Sequence, residues 1–292
     1  MVTNHRKPSH SRVLRRGRAS DFRALMLHTI IIGIDHYRDE LIPDLRQAAR
    51  DAIDVHRLFD HVPPESPVSQ TRLLNEEATH DSITRALGDV SKTMEEGDDV
   101  LLYFSGHGCT EQAPDMDGPA IYLAPHDAEG SRLERTAVEL YRELPALVED
   151  IRALSGLFLT MLDCCYSGAP GSRSFLGPRH RALYEERAGI FLEFEVPPPL
   201  PAAPRSGFGC AVWGAAEKDR VAYESEQLGH GFFTAAFLQA YEARSQGGPP
   251  RLLNLVADVE DRVLELTEGQ QTPVFSCWKC SRARLPPTAL RS

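Results

Sequence analysis

Val100-Leu101-Leu102-Tyr103-Phe104-Ser105-Gly106-His107-Gly108 joins an apolar run to a glycine-flanked histidine. The uninterrupted apolar run Val100 to Phe104 reads as a strand covered on both faces, and a histidine between two glycines follows where that strand stops. A second run, Leu157 to Leu162, is built the same way and passes straight into Asp163-Cys164-Cys165-Tyr166-Ser167-Gly168. In open sheets with parallel strands, reactive groups gather beyond the carboxyl ends of the strands, so both polar turns sit where an active site is expected.

Working outward, Leu25 to Ile34 is another Ile-rich buried strand, followed by a polar turn at Asp35 to Glu40. Asp44 to Phe59 has helical spacing, with Leu45, Ala48, Ala49, Ala52, Val55, Leu58 and Phe59 recurring at threes and fours before Pro63-Pro64. The unit repeats as a strand over Thr71 to Leu74 and a helix over Thr79 to Met94, with Thr79 as N-cap. From Ala169 to Arg205 the periodicity fails in a Pro- and Arg-rich stretch that reads as a long mobile connection. Order resumes with a strand at Cys210 to Ala215, helices at Phe232 to Tyr241 and Leu252 to Leu266, and a short strand at Pro273 to Ser276. The expected architecture is an α/β fold of three layers, a mainly parallel central sheet flanked by helices. It divides into a basic tail (1–23), a larger part (24–168), an irregular linker (169–206), a smaller part (207–276) and a C-terminal tail (277–292).

Composition narrows the function. With 292 residues and 42% hydrophobic content the chain can bury a sizeable core. A net charge of -10 argues against a nucleic-acid surface, which needs a clustered positive field, and favours basic substrates. The positive charge concentrates in Arg6, Lys7, Arg12, Arg15, Arg16, Arg18 and Arg23, a solvated tail. The apolar stretch after it is broken by His28 and Gly33 and lacks a small-residue cleavage site, so it does not read as a signal peptide. No run approaches the roughly 18 apolar residues of a membrane span, and a cytoplasmic protein is expected. Six cysteines are too sparse for a disulfide scaffold, and Cys277 and Cys280 read as two unconnected thiols rather than as zinc or redox ligands.

A hydrolytic cysteine needs a nearby histidine to generate the thiolate, and backbone donors for the developing oxyanion. Cys165 and His107 supply that pair, 58 positions apart in the chain. Gly106 and Gly108 let a substrate backbone approach His107, as Gly168 does beyond Cys165. Two other readings stay open: a catalytically quiet scaffold or sensor, and a zinc or redox site made from His107, Cys109, Cys164 and Cys165.

Tyr103-Phe104-Ser105-Gly106-His107-Gly108 and Asp163-Cys164-Cys165-Tyr166-Ser167-Gly168 resemble the catalytic segments of bacterial metacaspase-like peptidases of the caspase-like superfamily. Val221-Ala222-Tyr223-Glu224, Gly229-His230-Gly231-Phe232-Phe233-Thr234 and Gln271-Thr272-Pro273-Val274-Phe275 resemble the smaller-subunit region of that family. The resemblance implies a caspase-like fold and a cysteine endopeptidase with His107 as general acid/base and Cys165 as nucleophile, Cys164 lying on the opposite face. Tyr166 stands where relatives commonly have His. Asp163, and Asp51 in the helix beginning Leu45-Arg46-Gln47, would line a pocket for Arg or Lys before the cut. The competing reading of Asp51 is a solvated helix charge. The implied partners are peptide or protein substrates, and an upstream activator in a bacterial defence system. The chemistry requires no cofactor. Calcium stays open as an activator because several relatives depend on it, although Asp115-Met116-Asp117-Gly118 falls far short of a full calcium loop and reads as an acidic surface turn. The linker arginines Arg173, Arg179, Arg181, Arg187 and Arg205 are expected self-cleavage sites.

Overall fold

The computed structural model describes residues 23–112, 119–140, 143–144, 148–164, 209–217 and 222–288. Three strands rich in branched and aromatic side chains form the middle of the main sheet: β1 (Leu27–Gly33), β3 (Asp99–Ser105) and β7 (Leu157–Asp163). All of β1 and β7 is buried, as expected for strands covered on both faces. β2 (Val68–Leu74) pairs in parallel with β1 on one side, and β8 (Gly209–Gly214) pairs in parallel with β7 on the other. β11 (Val274–Trp278) closes that edge antiparallel to β8, giving the order β11-β8-β7-β3-β1-β2. The mainly parallel α/β sheet is the one expected from the sequence.

Side-chain alternation splits the interior into two cores. Ile30, Ile32, Leu102, Phe104, Phe158 and Leu162 pack against Ile83, Leu87 and Val90 of α2 (His80–Thr93), in a core that also takes Leu133 of the short α3 (Leu133–Thr136) and Ile151 of α4 (Glu149–Leu154). On the other face Ile31, Leu101, Tyr103, Leu159 and Met161 pack against three helices, α1 (Ala48–Phe59), α5 (Phe232–Ser245) and α6 (Leu252–Leu266). Trp213 sits at the centre of that second core, edge-on to Phe233, Phe237 and Phe275. α1 lies so close to β1 that a Cβ on Gly33 would come within 2.5 Å of the Ala48 carbonyl oxygen and of Ala52 Cβ.

Element boundaries depart from expectation for identifiable reasons. α1 begins at Ala48, not Asp44, because the Leu45 N–H is spent on the Asp35 carbonyl (2.8 Å) and Asp35 itself caps the helix. Its two carboxylate oxygens accept from Ala48 N (2.7 Å) and Ala49 N (3.2 Å). α2 follows the expected N-cap, with Thr79 Oγ1 accepting from Ser82 N at 3.2 Å. β2 starts three residues earlier than its apolar signal, at Val68, since an edge strand covered on one face tolerates Ser69, Gln70 and Arg72. A small antiparallel sheet of β4 (Gly108–Gln112), β5 (Pro119–Leu123) and β6 (Val138–Glu139) was not visible in the sequence pattern.

Cys277 and Cys280 are joined in a disulfide, which corrects their reading as unconnected thiols. β11 ends at Trp278, and Lys279 takes a left-handed φ of 55°, turning the chain so that the two Cα atoms lie 6.0 Å apart. Beyond the disulfide the chain stays docked: Leu285 N bonds Pro250 O at 3.0 Å, and the Tyr241 hydroxyl donates to Pro286 O. No described helix is long and apolar enough to cross a membrane.

Candidate active site

His107 follows β3 by two residues and is held from three directions. Its N–H donates to the Tyr37 hydroxyl at 2.8 Å, its carbonyl accepts from Ala124 N at 3.0 Å, and its ring lies 5.1 Å from that of Tyr37. Gly106 has no room for a side chain larger than hydrogen without pushing on Phe104 and the Tyr37 hydroxyl, both 3.0 Å from where a Cβ would lie. The decisive contact is between His107 Nε2 and the Pro43 carbonyl oxygen, 2.7 Å apart. A carbonyl can only accept, so Nε2 carries the proton and Nδ1 carries the lone pair. The ring is thereby held as the tautomer that can take a proton at Nδ1. Gly108 opens β4 opposite Leu123.

The loop that presents Pro43 is itself tied down. His36 Nδ1 donates to Asp44 Oδ2 at 2.9 Å, and Tyr37 N donates to Asp44 Oδ1 at 3.4 Å. The hydrogen bond raises the His36 pKa above the usual histidine value and lowers that of Asp44 below the usual carboxylate value. Both side chains are more than half exposed, so the pair steadies the loop without contributing much stability.

Asp51 and Asp163 come together from α1 and β7, and both are fully buried. Asp51 is therefore not a solvated helix charge. Its carboxylate accepts from His230 Nδ1 (2.9 Å), from the Gly231 N–H (3.1 and 3.2 Å to its two oxygens) and from the Ser105 hydroxyl (3.2 Å). Gly231 is the N-cap of α5, whose own first turn has no acidic residue, so Asp51 supplies the negative charge that a helix N-terminus favours. Asp163 Oδ2 accepts from Thr234 Oγ1 at 2.5 Å, one turn further along α5. Because Thr234 gives its proton there, the Tyr103 hydroxyl, 2.5 Å away, donates to Thr234. Ser105 and Asp163 are register partners in adjacent strands. The two carboxylates thus belong to one buried network drawn from α1, β3, β7 and α5.

Strand alternation separates the neighbouring thiol from this network: Cys164 is buried with the core on the α2 side, as is Cys109. Cys165, Tyr166 and Gly168 lie outside the described residues, as do Asp115, Asp117 and the stretch 169–206. Among the described residues no group of three or more His, Cys, Asp and Glu side chains is arranged to hold a metal ion. Sequence reasoning gave no role to Pro43, Tyr37, Ser105, Thr234 or His230. A backbone carbonyl leaves no trace in side-chain patterns, but Gly229-His230-Gly231-Phe232-Phe233-Thr234 was already conspicuous.

The sequence matches the family model of the caspase domain over residues 26–283. The chain belongs to the caspase domain family. Among solved structures, this caspase domain is similar to a Geobacter sulfurreducens protein at 16% identity, with 86% of this chain and 93% of that one covered and a TM-score of 0.60. Caspase-1 from Spodoptera frugiperda is similar at 12% identity, over 92% of each chain, with a TM-score of 0.54. At such identities these two likenesses concern the fold alone. No curated protein matches the sequence. The caspase family is one of cysteine peptidases, and its fold is the six-stranded, mainly parallel sheet found here.

Proposed function

We propose that this caspase domain is a cysteine endopeptidase that cuts after Arg or Lys, with Cys165 as nucleophile and His107 as general acid/base. The observation that carries the reading is the His107 Nε2 contact with Pro43 O, which leaves Nδ1 basic at the end of a strand directly beside the one that leads to Cys165. In the first step Nδ1 takes the Cys165 thiol proton, and the thiolate attacks the carbonyl carbon of the scissile bond. The imidazolium then passes that proton to the leaving amine as the tetrahedral intermediate collapses to a thioester. Water, deprotonated by the same nitrogen, hydrolyses the thioester and restores the thiol. Gly108 leaves the substrate backbone room beside the histidine.

Asp51 and Asp163 support a basic residue before the cut, because two fully buried carboxylates concentrate negative charge at which a cationic side chain is the favoured complement. Self-cleavage within 169–206, at its arginines, follows from the same preference. No cofactor enters these steps, and assays with and without chelator test whether calcium activates. The substrates would be cytoplasmic proteins. A panel of fluorogenic peptides that differ only in the residue before the cut tests the assignment: Arg and Lys peptides should be cleaved, and preferred cutting after Asp would refute it. Incubating the protein beside Cys165→Ala and mapping fragments by mass spectrometry tests self-processing, which fails if the active chain stays whole or both proteins are cut alike.

A further inference from the structure

The Asp51 carboxylate lies under a short hairpin. β9 (Glu224–Ser225) pairs with β10 (His230–Gly231), and the turn between them closes through Gly229, whose φ of 67° suits a residue without a side chain. The hairpin is fixed at its base, where Phe232 N bonds Tyr223 O at 3.1 Å and Tyr223 N bonds the buried Gln271 Oε1 at 2.9 Å. Its remaining grip on the start of α1 is peripheral: Glu224 Oε2 accepts from Gln47 N (3.2 Å) and Arg46 N (3.4 Å), and Arg46 and Glu226 form an exposed ion pair. His230 is the side chain this hairpin sends inward. Its Nδ1 is 2.9 Å from Asp51 and its Nε2 is 3.5 Å from Asp54, while the ring stays 14% exposed at the mouth. Both nitrogens face carboxylates, Nδ1 at hydrogen-bond distance from Asp51 and Nε2 at ion-pair distance from Asp54.

We infer that His230 is a specificity-determining residue: it occupies the cation-binding position at Asp51 in the resting protein, and the cationic side chain of a substrate must displace it. This rests on the proposed preference for Arg or Lys. The exchange needs little else to move, because the Gly231 N–H and the Ser105 hydroxyl still hold Asp51 after the imidazole has left. Arg50, which packs beside Gly229, and the carboxylate of Asp54 are the other charged groups that the ring meets from α1, while Glu224 and Glu226 on its own hairpin are spent on Gln47 and Arg46. A protein that binds substrate only with His230 displaced has its apparent affinity reduced by the fraction displaced, whereas the chemical step is untouched. A histidine that only braces the hairpin has the opposite signature, since losing it would loosen the site and weaken binding.

The experiment compares wild type, His230→Ala and His230→Asn on Arg peptides and on peptides with citrulline in place of Arg. Asn keeps a neutral donor near the Nδ1 position and is read alone if the Ala variant does not fold. The expected result is a KM for Arg peptides lowered about tenfold with kcat unchanged, and no gain for citrulline peptides. An unchanged or higher KM, or an equal change for both peptide types, overturns the inference while leaving the peptidase intact. Calorimetric binding of benzamidine to the Cys165→Ala protein, with and without His230→Asn, separates the two claims. Tighter benzamidine binding without His230, from a protein whose wild-type form cleaves no peptide, supports the exchange and overturns the peptidase. Unchanged benzamidine binding overturns the exchange.

Discussion

The two ends of the central sheet both bury aspartates, and they hold them differently. At the amino ends of the strands, Asp98 accepts from Arg23 (2.6 Å), Met26 N (2.9 Å), Glu95 N (2.9 Å) and His28 Nε2 (3.3 Å). Burial pushes its pKa up, but these hydrogen bonds outweigh burial and hold it below the usual carboxylate value. The surrounding backbone is laced to the same floor: Asp99 N bonds Met26 O at 2.9 Å and Gly156 N bonds Asp98 O at 2.8 Å. At the carboxyl ends, Asp51 depends on a hydroxyl and on a hairpin whose His230 lies 179 residues away along the chain, and Asp163 on the hydroxyl of Thr234 in α5, 71 residues away. Asp98 ties together the strand starts it joins, whereas the proposal makes Asp51 and Asp163, held largely through side-chain donors, groups that bind substrate. Damage to the floor should therefore register in stability, and damage to the upper end in substrate handling.

The sharpest test of that division is at the upper end. Cys165→Ala should reduce peptide hydrolysis by at least about a thousandfold, whereas Cys164→Ala, whose side chain lies in the α2-side core, should keep activity within a few-fold and cost about 1 kcal/mol of stability. Equal loss of activity in both would show the wrong thiol or the wrong chemistry. Next, Asp163→Asn retains an acceptor for Thr234 but removes the charge. It should lower kcat/KM for Arg peptides by about a hundredfold relative to citrulline peptides, with little change in melting temperature. A large fall in melting temperature with unchanged selectivity would make Asp163 a structural tie like Asp98.

The floor predicts the reverse pattern. Asp98→Ala strands buried N–H donors and should destabilise the fold by about 2 to 4 kcal/mol in denaturant melts, with kcat/KM of the remaining folded protein unchanged. The smallest effect belongs to Asp99, where burial raises the pKa to about 7. Its folded value lies above the unfolded one, so between about pH 4 and 7 the folded state binds more protons and stability falls as pH rises through that window. Asp99→Asn should remove this loss and stabilise the protein by about 1 to 2 kcal/mol at pH 8, with little effect below pH 4. Melts at the two pH values decide it, and a variant no more stable at pH 8 would mean that Asp99 is charged at no cost.

The layered sheet was legible because Leu27–Gly33, Asp99–Ser105 and Leu157–Asp163 are covered on both faces and so leave long apolar runs. The edge strand β2 and the small β4-β5-β6 sheet were blurred or missed because strands with one covered face carry polar residues at alternate positions. Asp163 is legible as an acid two residues before Cys165, and Asp51 only through the resemblance of its helix to that of metacaspases. Their partners were not legible, since nothing in the order of residues announces that His230 will meet a carboxylate 179 positions earlier. The Pro43 carbonyl is the extreme case: it carries the histidine argument, yet any residue type could supply that oxygen.

The absence of a side chain at Gly33 has a mechanical consequence. With the Ala48 carbonyl and Ala52 pressed against the strand at that point, α1 cannot slide or tilt toward the sheet, and the Asp35 cap fastens its first turn to the same strand. Asp51 therefore rides on a stationary wall, set one turn from the closest contact in the sheet. If the mouth above it is to widen, the travel falls to the opposite jaw, the His230 side chain and the turn before it, while Gly231 stays bonded to Asp51, and the opening is one-sided.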